Sequence, residues 1–335
     1  MYKKYLILII SLLTFAGVNV QPCKALSAIP QNYDNMTVET ADEDSENQET
    51  DRIQRVSFRD KFKKSPETQI NNFFKKYTKY SIKGDNEKLK ELYSENYVNN
   101  DGFDKTTVFK MMEAAGEVYK DVKYNIEVQN ISVDGNSAIV KVHEKATGVT
   151  TKPMPRMGDN GIINSDIFYI DYLQKEGTDW KITNSNVLSE KVELKYGEAK
   201  NSVLDIKAPE CVTAGAEYEI SVNTTTPDGV FVVGSIVNDP IVFPQRQNKD
   251  VYRALKNDAL ARVIKANTDG NNEYATVTLA ITRAKVEPAA VVINMTGMAF
   301  AMKRVNVFAL KNNIKTEEDV NGSAKKSSKE ISKRG

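Results

Sequence analysis

Glu144 is the side chain whose type and position best suit chemistry. Across 138–147, Ala138, Val140, Val142, Glu144 and Ala146 share one face of a period-two pattern, and Ile139, Lys141, His143 and Lys145 share the other. A carboxyl therefore lies with the apolar set, while the chain's single histidine lies with lysines, toward solvent or a sheet edge. Desolvation of a carboxyl against apolar surface raises its pKa, which is what a general acid or base working near neutrality requires. Further polar candidates surround it in the pattern. Asp171 sits mid-strand with Ile167, Tyr169 and Leu173, and Tyr124 alternates with Val122 and Ile126. Asn184 and Asn186 share parity with Trp180 and Ile182, and Tyr97 and Asp101 occupy one polar turn. The bland alternative is that Glu144 emerges at a rim, Asp171 pairs with a lysine, and the tyrosines are core residues with one wet end.

These residues need elements to hold them. Pro66 opens a helix over 67–82 with Ile70, Phe73, Phe74 and Tyr77 at helical spacing, and Gly84-Asp85 stops it. Asp85 caps a short helix over 86–93, whose inner residues are Leu89, Leu92 and Tyr93. Asp104 caps a third, striped by Val108, Met111, Met112, Ala115 and Tyr119. From Lys120 the period changes to two. Val122, Tyr124, Ile126 and Val128 alternate, Asp134-Gly135-Asn136 turns the chain, and Ala138, Val140 and Val142 return. Strands over 166–175 and 180–192 follow, after a loop over 152–164 with two prolines and two glycines.

Three helices followed by a curved antiparallel sheet resembles the nuclear transport factor 2-like superfamily. The residues carrying the likeness are Tyr77 with Gly84-Asp85, Leu89, Leu92-Tyr93, the turn Tyr97-Val98-Asn99-Asn100-Asp101-Gly102, and Trp180-Lys181-Ile182. The resemblance implies a cone with an interior pocket, in which superfamily enzymes place a carboxylate base and tyrosine or carboxylic-acid donors. By residue type and region, that set corresponds to Glu144, Asp101, Asp171, Tyr97 and Tyr124, with Trp180 and Asn184 as further ligand-contacting positions. It also implies a homodimer through the open sheet of this first domain. The superfamily includes isomerases, cyclases and dehydratases as well as members that only bind or assemble, so the resemblance speaks for fold more than for activity.

At 335 residues the chain accommodates more than one domain. Residues 1–25, with a basic start, an apolar run over 6–20 and Cys23-Lys24-Ala25, read as a secretory signal peptide cleaved after Ala25; the alternative is a membrane anchor over 6–20. Residues 26–62, dense in acidic side chains between Glu39 and Asp51, read as a disordered linker. Residues 63–196 form the α+β cone, and 203–310 an all-β, immunoglobulin-like sandwich with a helical insertion over 249–266, where Val251, Leu255, Leu260, Val263 and Ile264 are apolar. The polar stretch 194–202 reads as the connection between them, and 311–335 as a disordered basic tail with at most weak contact to anionic lipid.

Composition narrows the function classes. A formal charge of +1 argues against an obligatory nucleic-acid partner. Two cysteines and one histidine supply no metal-ligand spacing, no cofactor motif is present, and Cys211 reads as a small buried hydrophobe near a strand start. The expectation is an exported binding or protein-interaction module, periplasmic or extracellular, with a pocket in its first domain for a small apolar ligand. The alternative is an isomerase- or cyclase-like enzyme using Glu144 or Asp101.

Overall fold

The computed structural model describes residues 65–155, 157–225, 228–245, 251–288 and 290–309. The expected signal peptide, acidic linker and basic tail lie outside them. Among the described residues the architecture is mixed, with a helical layer ahead of a large antiparallel sheet.

Helix α1 (Pro66–Lys83) begins where the Ser65 hydroxyl accepts the Thr68 N–H and ends at Gly84, whose left-handed φ of 64° suits a residue without Cβ. Asp85 caps α2 (Asn86–Lys90), and Asp104 caps α3 (Lys105–Val118). Ile70, Phe73, Phe74 and Tyr77 of α1 turn inward with Val108, Phe109, Met111 and Ala115 of α3. They pack on strands β1 (Tyr119–Asp134), β2 (Ser137–Thr150), β3 (Ile162–Glu176) and β4 (Asp179–Gly197).

After a turn of 3-10 helix (Glu198–Asn201), the chain runs through β5 (Leu204–Lys207), β6 (Cys211–Thr213), β7 (Glu217–Thr224), β8 (Phe231–Pro240), β9 (Arg253–Ala254), β10 (Ala259–Lys265), β11 (Glu273–Glu287) and β12 (Ala290–Phe308). The large sheet has the order β1-β2-β3-β4-β12-β11-β8-β9, with β6 parallel to the end of β12. A second sheet, β10-β7-β5, covers its other face.

Strand β12 joins the two halves. It pairs with β4 from Gly297↔Gly197 to Lys303↔Lys191 and with β11 along nearly its whole length. Met298, Phe300 and Met302 enter the core under the helices, whereas Ala299, Ala301, Val305 and Val307 enter the core under β5, β7 and β10. The stretch 194–202, read from the sequence as a connection, therefore contains the end of a shared strand and a helical turn.

The helical insertion over 249–266 is corrected by the structure. Its described part is β9, a two-residue turn and β10. Asn257 and Asp258 both adopt positive φ, 49° and 57°, the twist that tight hairpins favour. Leu255 and Leu260 then both close over Gly234, where an added Cβ would lie 3.1 and 3.0 Å from them. Non-local packing on β8 thus overrides a helical spacing of apolar residues. Cys211 is also corrected: it is half-buried and disulfide-bonded, not a lone buried thiol.

A buried ion pair locks the helical half to β12. Arg304 Nη2 donates to Asp101 Oδ1 at 2.7 Å and Nη1 to Oδ2 at 3.1 Å, with the two side chains 0% and 1% exposed. Asn272 Nδ2 also donates to Asp101, and Asn100 Oδ1 accepts from Arg304. Removing one partner of such a pair leaves a buried charge uncompensated. Arg304→Met is expected to cost about 3–5 kcal/mol in chemical denaturation, and adding Asp101→Leu to recover part of that loss.

Candidate functional site

A cavity of about 390 Å³ opens between the helices and the first two strands. Its wall includes Tyr77 and Ser81 from α1, Leu89 from α2, Met112, Ala115 and Gly116 from α3, Tyr119, Val122 and Tyr124 from β1, and Glu144 from β2, with Lys83, Asn86, Glu113, Lys120 and Asp121 also lining it. The geometry follows from local rules. Residues on the inner stripes of α1 and α3 face the sheet, and even-numbered residues of β2 from Ala138 to Ala146 face the helices. At the mouth, β1 has an irregular register between Lys120 and Lys123, and Asp121 adopts φ of 55°. Such a bulge bends the strand and re-aims its side chains, here beside Val122 and Tyr124.

Glu144 is 5% exposed and accepts a 3.1 Å hydrogen bond from the Tyr169 hydroxyl at Oε2. Burial pushes its carboxyl up to about 7; the Tyr169 bond opposes the shift, and the Glu190 carboxyl adds to it. Asp171, on β3, is pushed to about 7 by burial against the pull of a Ser185 hydrogen bond, with Glu144 adding to the rise. Its Oδ1 has no hydrogen-bond partner among the described residues. Ser185 also meets the Tyr97 hydroxyl at 3.3 Å, and the Tyr93 hydroxyl donates to that of Tyr77 at 3.5 Å. Glu190, on β4, accepts from the Tyr274 hydroxyl at 2.7 Å; burial raises it to about 7 although Arg304 and Tyr274 both favour its charged form. Burial drives the phenols of Tyr77, Tyr93 and Tyr169 well above the ordinary tyrosine value, so they serve as neutral donors.

The sequence-predicted residues therefore divide. Glu144 and Tyr124 line the cavity together. Tyr97 and Asp171 lie behind it in the buried polar chain through Ser185. Asp101 is held by Arg304 and is no part of the cavity wall. Trp180 is buried with its indole N–H on Gln69 Oε1 at 3.3 Å, also away from the cavity. Asn184 does not share the inner face of Trp180 and Ile182: its Nδ2 donates to the Val98 carbonyl, and Ser185 is buried instead. The cause is a break in the β3–β4 register at Tyr172/Leu173, followed by another at Phe168/Tyr169. Each inserts one residue into β4 and reverses its inward parity. The two breaks bring first Ser185 and Val187, then Glu190 and Val192, to the inside. His143 lies on the opposite face of β2, bonded to Asp166 at 2.7 Å and stacked on Phe168 at 3.9 Å.

Tyr77, Tyr169, Ser185 and Glu190 are the site residues that sequence reasoning left out. Tyr77 and Tyr169 were legible as inward-facing positions, but nothing in their spacing marked them as polar neighbours of Glu144. Ser185 and Glu190 were hidden by the bulges.

No protein-family model matches the chain, and no curated protein matches it. Among solved structures, a conserved protein from Planctomyces limnophilus is similar over 36% of this chain and 91% of its own, at 13% identity and a TM-score of 0.31.

The three raised carboxyls set the sign of the pH dependence. Each binds its proton more tightly folded than unfolded, so the folded state carries extra protons between the ordinary carboxylate range and about 7. Their contribution to stability is present in acid and is lost as pH rises through 7, with a slope of up to about 1.4 kcal/mol per pH unit per group. Denaturation midpoints measured from pH 5 to 8 are expected to fall with rising pH, and Glu144→Gln to make the fall shallower.

Proposed function

We propose that the chain is an exported small-molecule-binding protein built on a nuclear transport factor 2-like cone joined to an immunoglobulin-like sandwich, and that the tyrosine-lined cavity is its binding site. The observation that carries this reading is Glu144, a buried carboxyl in the wall of a cavity whose inner surface is also formed by Tyr77, Leu89, Met112, Tyr119 and Tyr124, with charged side chains at its exposed rim. Burying a carboxyl is costly, and a pocket that sets a few polar groups among apolar and aromatic side chains is the form that small-molecule sites take. A volume near 390 Å³ is within the range of such sites.

A second reading, an enzyme with Glu144 as general acid or base, is favoured by one feature. Its carboxyl sits near neutrality beside the cavity and is oriented by the Tyr169 hydroxyl. Binding takes precedence because the other two carboxyls raised in the same way, Asp171 and Glu190, lie outside the cavity wall, so among the described residues Glu144 is the one buried carboxyl that faces a ligand; Glu113 and Asp121 stand exposed at the rim.

Gly116 gives a clean test. It lines the cavity in the last turn of α3, and a Cβ there meets nothing within 4 Å. Phenylalanine is also a better helix former than glycine at such a position. Gly116→Phe is therefore expected to occlude the cavity while leaving the denaturation midpoint unchanged or slightly raised. Native mass spectrometry of the purified protein should show a small-molecule mass that is lost on denaturation and absent from Gly116→Phe. An adduct retained at full occupancy by the occluded variant would place the ligand elsewhere and sink the proposal.

A further inference from the structure

We infer that the cavity takes an organic cation, an amine or quaternary ammonium on an apolar body, with the Glu144 carboxylate as counter-ion. This rests on the reading of the cavity as a ligand site and adds its chemical class. Two independent observations meet here: the rings in the wall and the charge balance behind it.

Tyr77, Tyr119 and Tyr124 reach the cavity from three directions, α1 and two separate positions on β1. The face of an aromatic ring attracts a cation and repels an anion. Leu89, Met112 and Val122 supply the apolar surface between them.

The charge balance is one-sided. The groups that act on Glu144 from the elements around it are the phenols of Tyr77 on α1, Tyr124 on β1 and Tyr169 on β3, and the carboxyls of Asp171 on β3 and Glu190 on β4. The fully buried cation of this core, Arg304, is committed to Asp101 through both terminal nitrogens. Asp171 has one oxygen without a hydrogen-bond partner among the described residues. Lys83 and Lys120 stand at the mouth, but both are exposed, and Glu113 and Asp121 share that rim with them. Exposed charges of mixed sign are screened by water and salt and do not reverse the interior potential.

An anion entering the cavity would therefore meet acidic groups with, among the described residues, no buried cation in the wall to receive it. A neutral ligand would leave Glu144 protonated. A cation would draw the proton off Glu144 and pair with the carboxylate, an exchange that conserves charge in the buried site. Cation uptake is then coupled to release of one proton whenever Glu144 begins protonated, so affinity must rise with pH up to about 7 and level off above it.

The test uses the full chain and three probes that share one apolar body: phenylbutylamine, phenylbutanol and phenylbutyrate, titrated by isothermal calorimetry or protein NMR at pH 8. The amine is expected to bind at least about tenfold more tightly than the alcohol, with the carboxylate weakest. Its affinity should fall by up to about tenfold per pH unit below 7, while that of the alcohol stays constant; the amine itself remains charged throughout. Glu144→Gln should bring amine and alcohol to within about threefold of each other. If that variant does not fold, Tyr124→Leu should weaken the amine by roughly fivefold and the alcohol by less. Alcohol or carboxylate binding as tightly as the amine, in a manner abolished by Gly116→Phe, would overturn the cation assignment and leave the cavity as a ligand site. Failure of all three probes to bind would overturn the cation assignment, and the native mass measurement on Gly116→Phe would then decide separately whether the cavity binds anything.

Discussion

From Gly297 to Val307, strand β12 packs a core on each of its faces, and most of the structure depends on that. Met298, Phe300 and Met302 complete the core beneath the helices, and Ala299, Ala301, Val305 and Val307 complete the core beneath the small sheet. Period-two geometry makes this division obligatory, because a one-residue slip would exchange Phe300 for Ala301 and misfill both cores together. The Asp101–Arg304 pair reinforces the register, since a slip would also move the guanidinium out of reach of its carboxylate. The position of the helices over β1 and β2, and so the cavity between them, rests on a strand far away in sequence.

The polar interior follows a consistent arrangement. Each of the three raised carboxyls is met by a hydroxyl: Tyr169 on Glu144, Ser185 on Asp171, Tyr274 on Glu190. Hydroxyl donors satisfy a carboxyl oxygen without supplying positive charge. The acids are thereby hydrogen-bonded yet remain electrostatically expensive to ionise, and their pKa values stay high. Asp101 has a different partner: the Arg304 guanidinium brings positive charge along with two of its donors, and Asn272 brings a third. Alongside the Asp101–Arg304 pair, three buried carboxyls are raised toward neutrality, and Glu144 is the one of those three that faces a cavity.

Much of the helical half was legible in the sequence because its signals are local. Gly84, Asp85 and Asp104 mark helix ends through hydrogen bonds within a few residues, and the alternation in β2 put Glu144 and His143 on the faces they occupy. The failures have non-local causes. A β-bulge leaves little trace in composition, so the inward turn of Ser185 and Glu190 could not be read from β4 alone. The helical spacing over 249–266 was real, but Asn257-Asp258 makes a tight turn that sends β9 to the large sheet and β10 to the small one, with Leu255 and Leu260 packed over Gly234 between them. Arg304 and Asp101 stand about two hundred positions apart, and no local pattern predicts that they meet.

The place of β12 in the sheet also governs the order in which the molecule can assemble. During synthesis β4 is complete about a hundred residues before its neighbour β12 exists, so its outer hydrogen-bonding edge, Lys191 to Gly197, must wait. For that interval the helical half presents an open sheet edge and an unfinished core, the two features that invite mispairing with other chains. Loop closure over such a span delays folding, because the entropy is lost before the contacts are gained. A chain laid out in this way stays vulnerable until its synthesis is nearly done: neither half can settle alone, and both become final when one strand arrives.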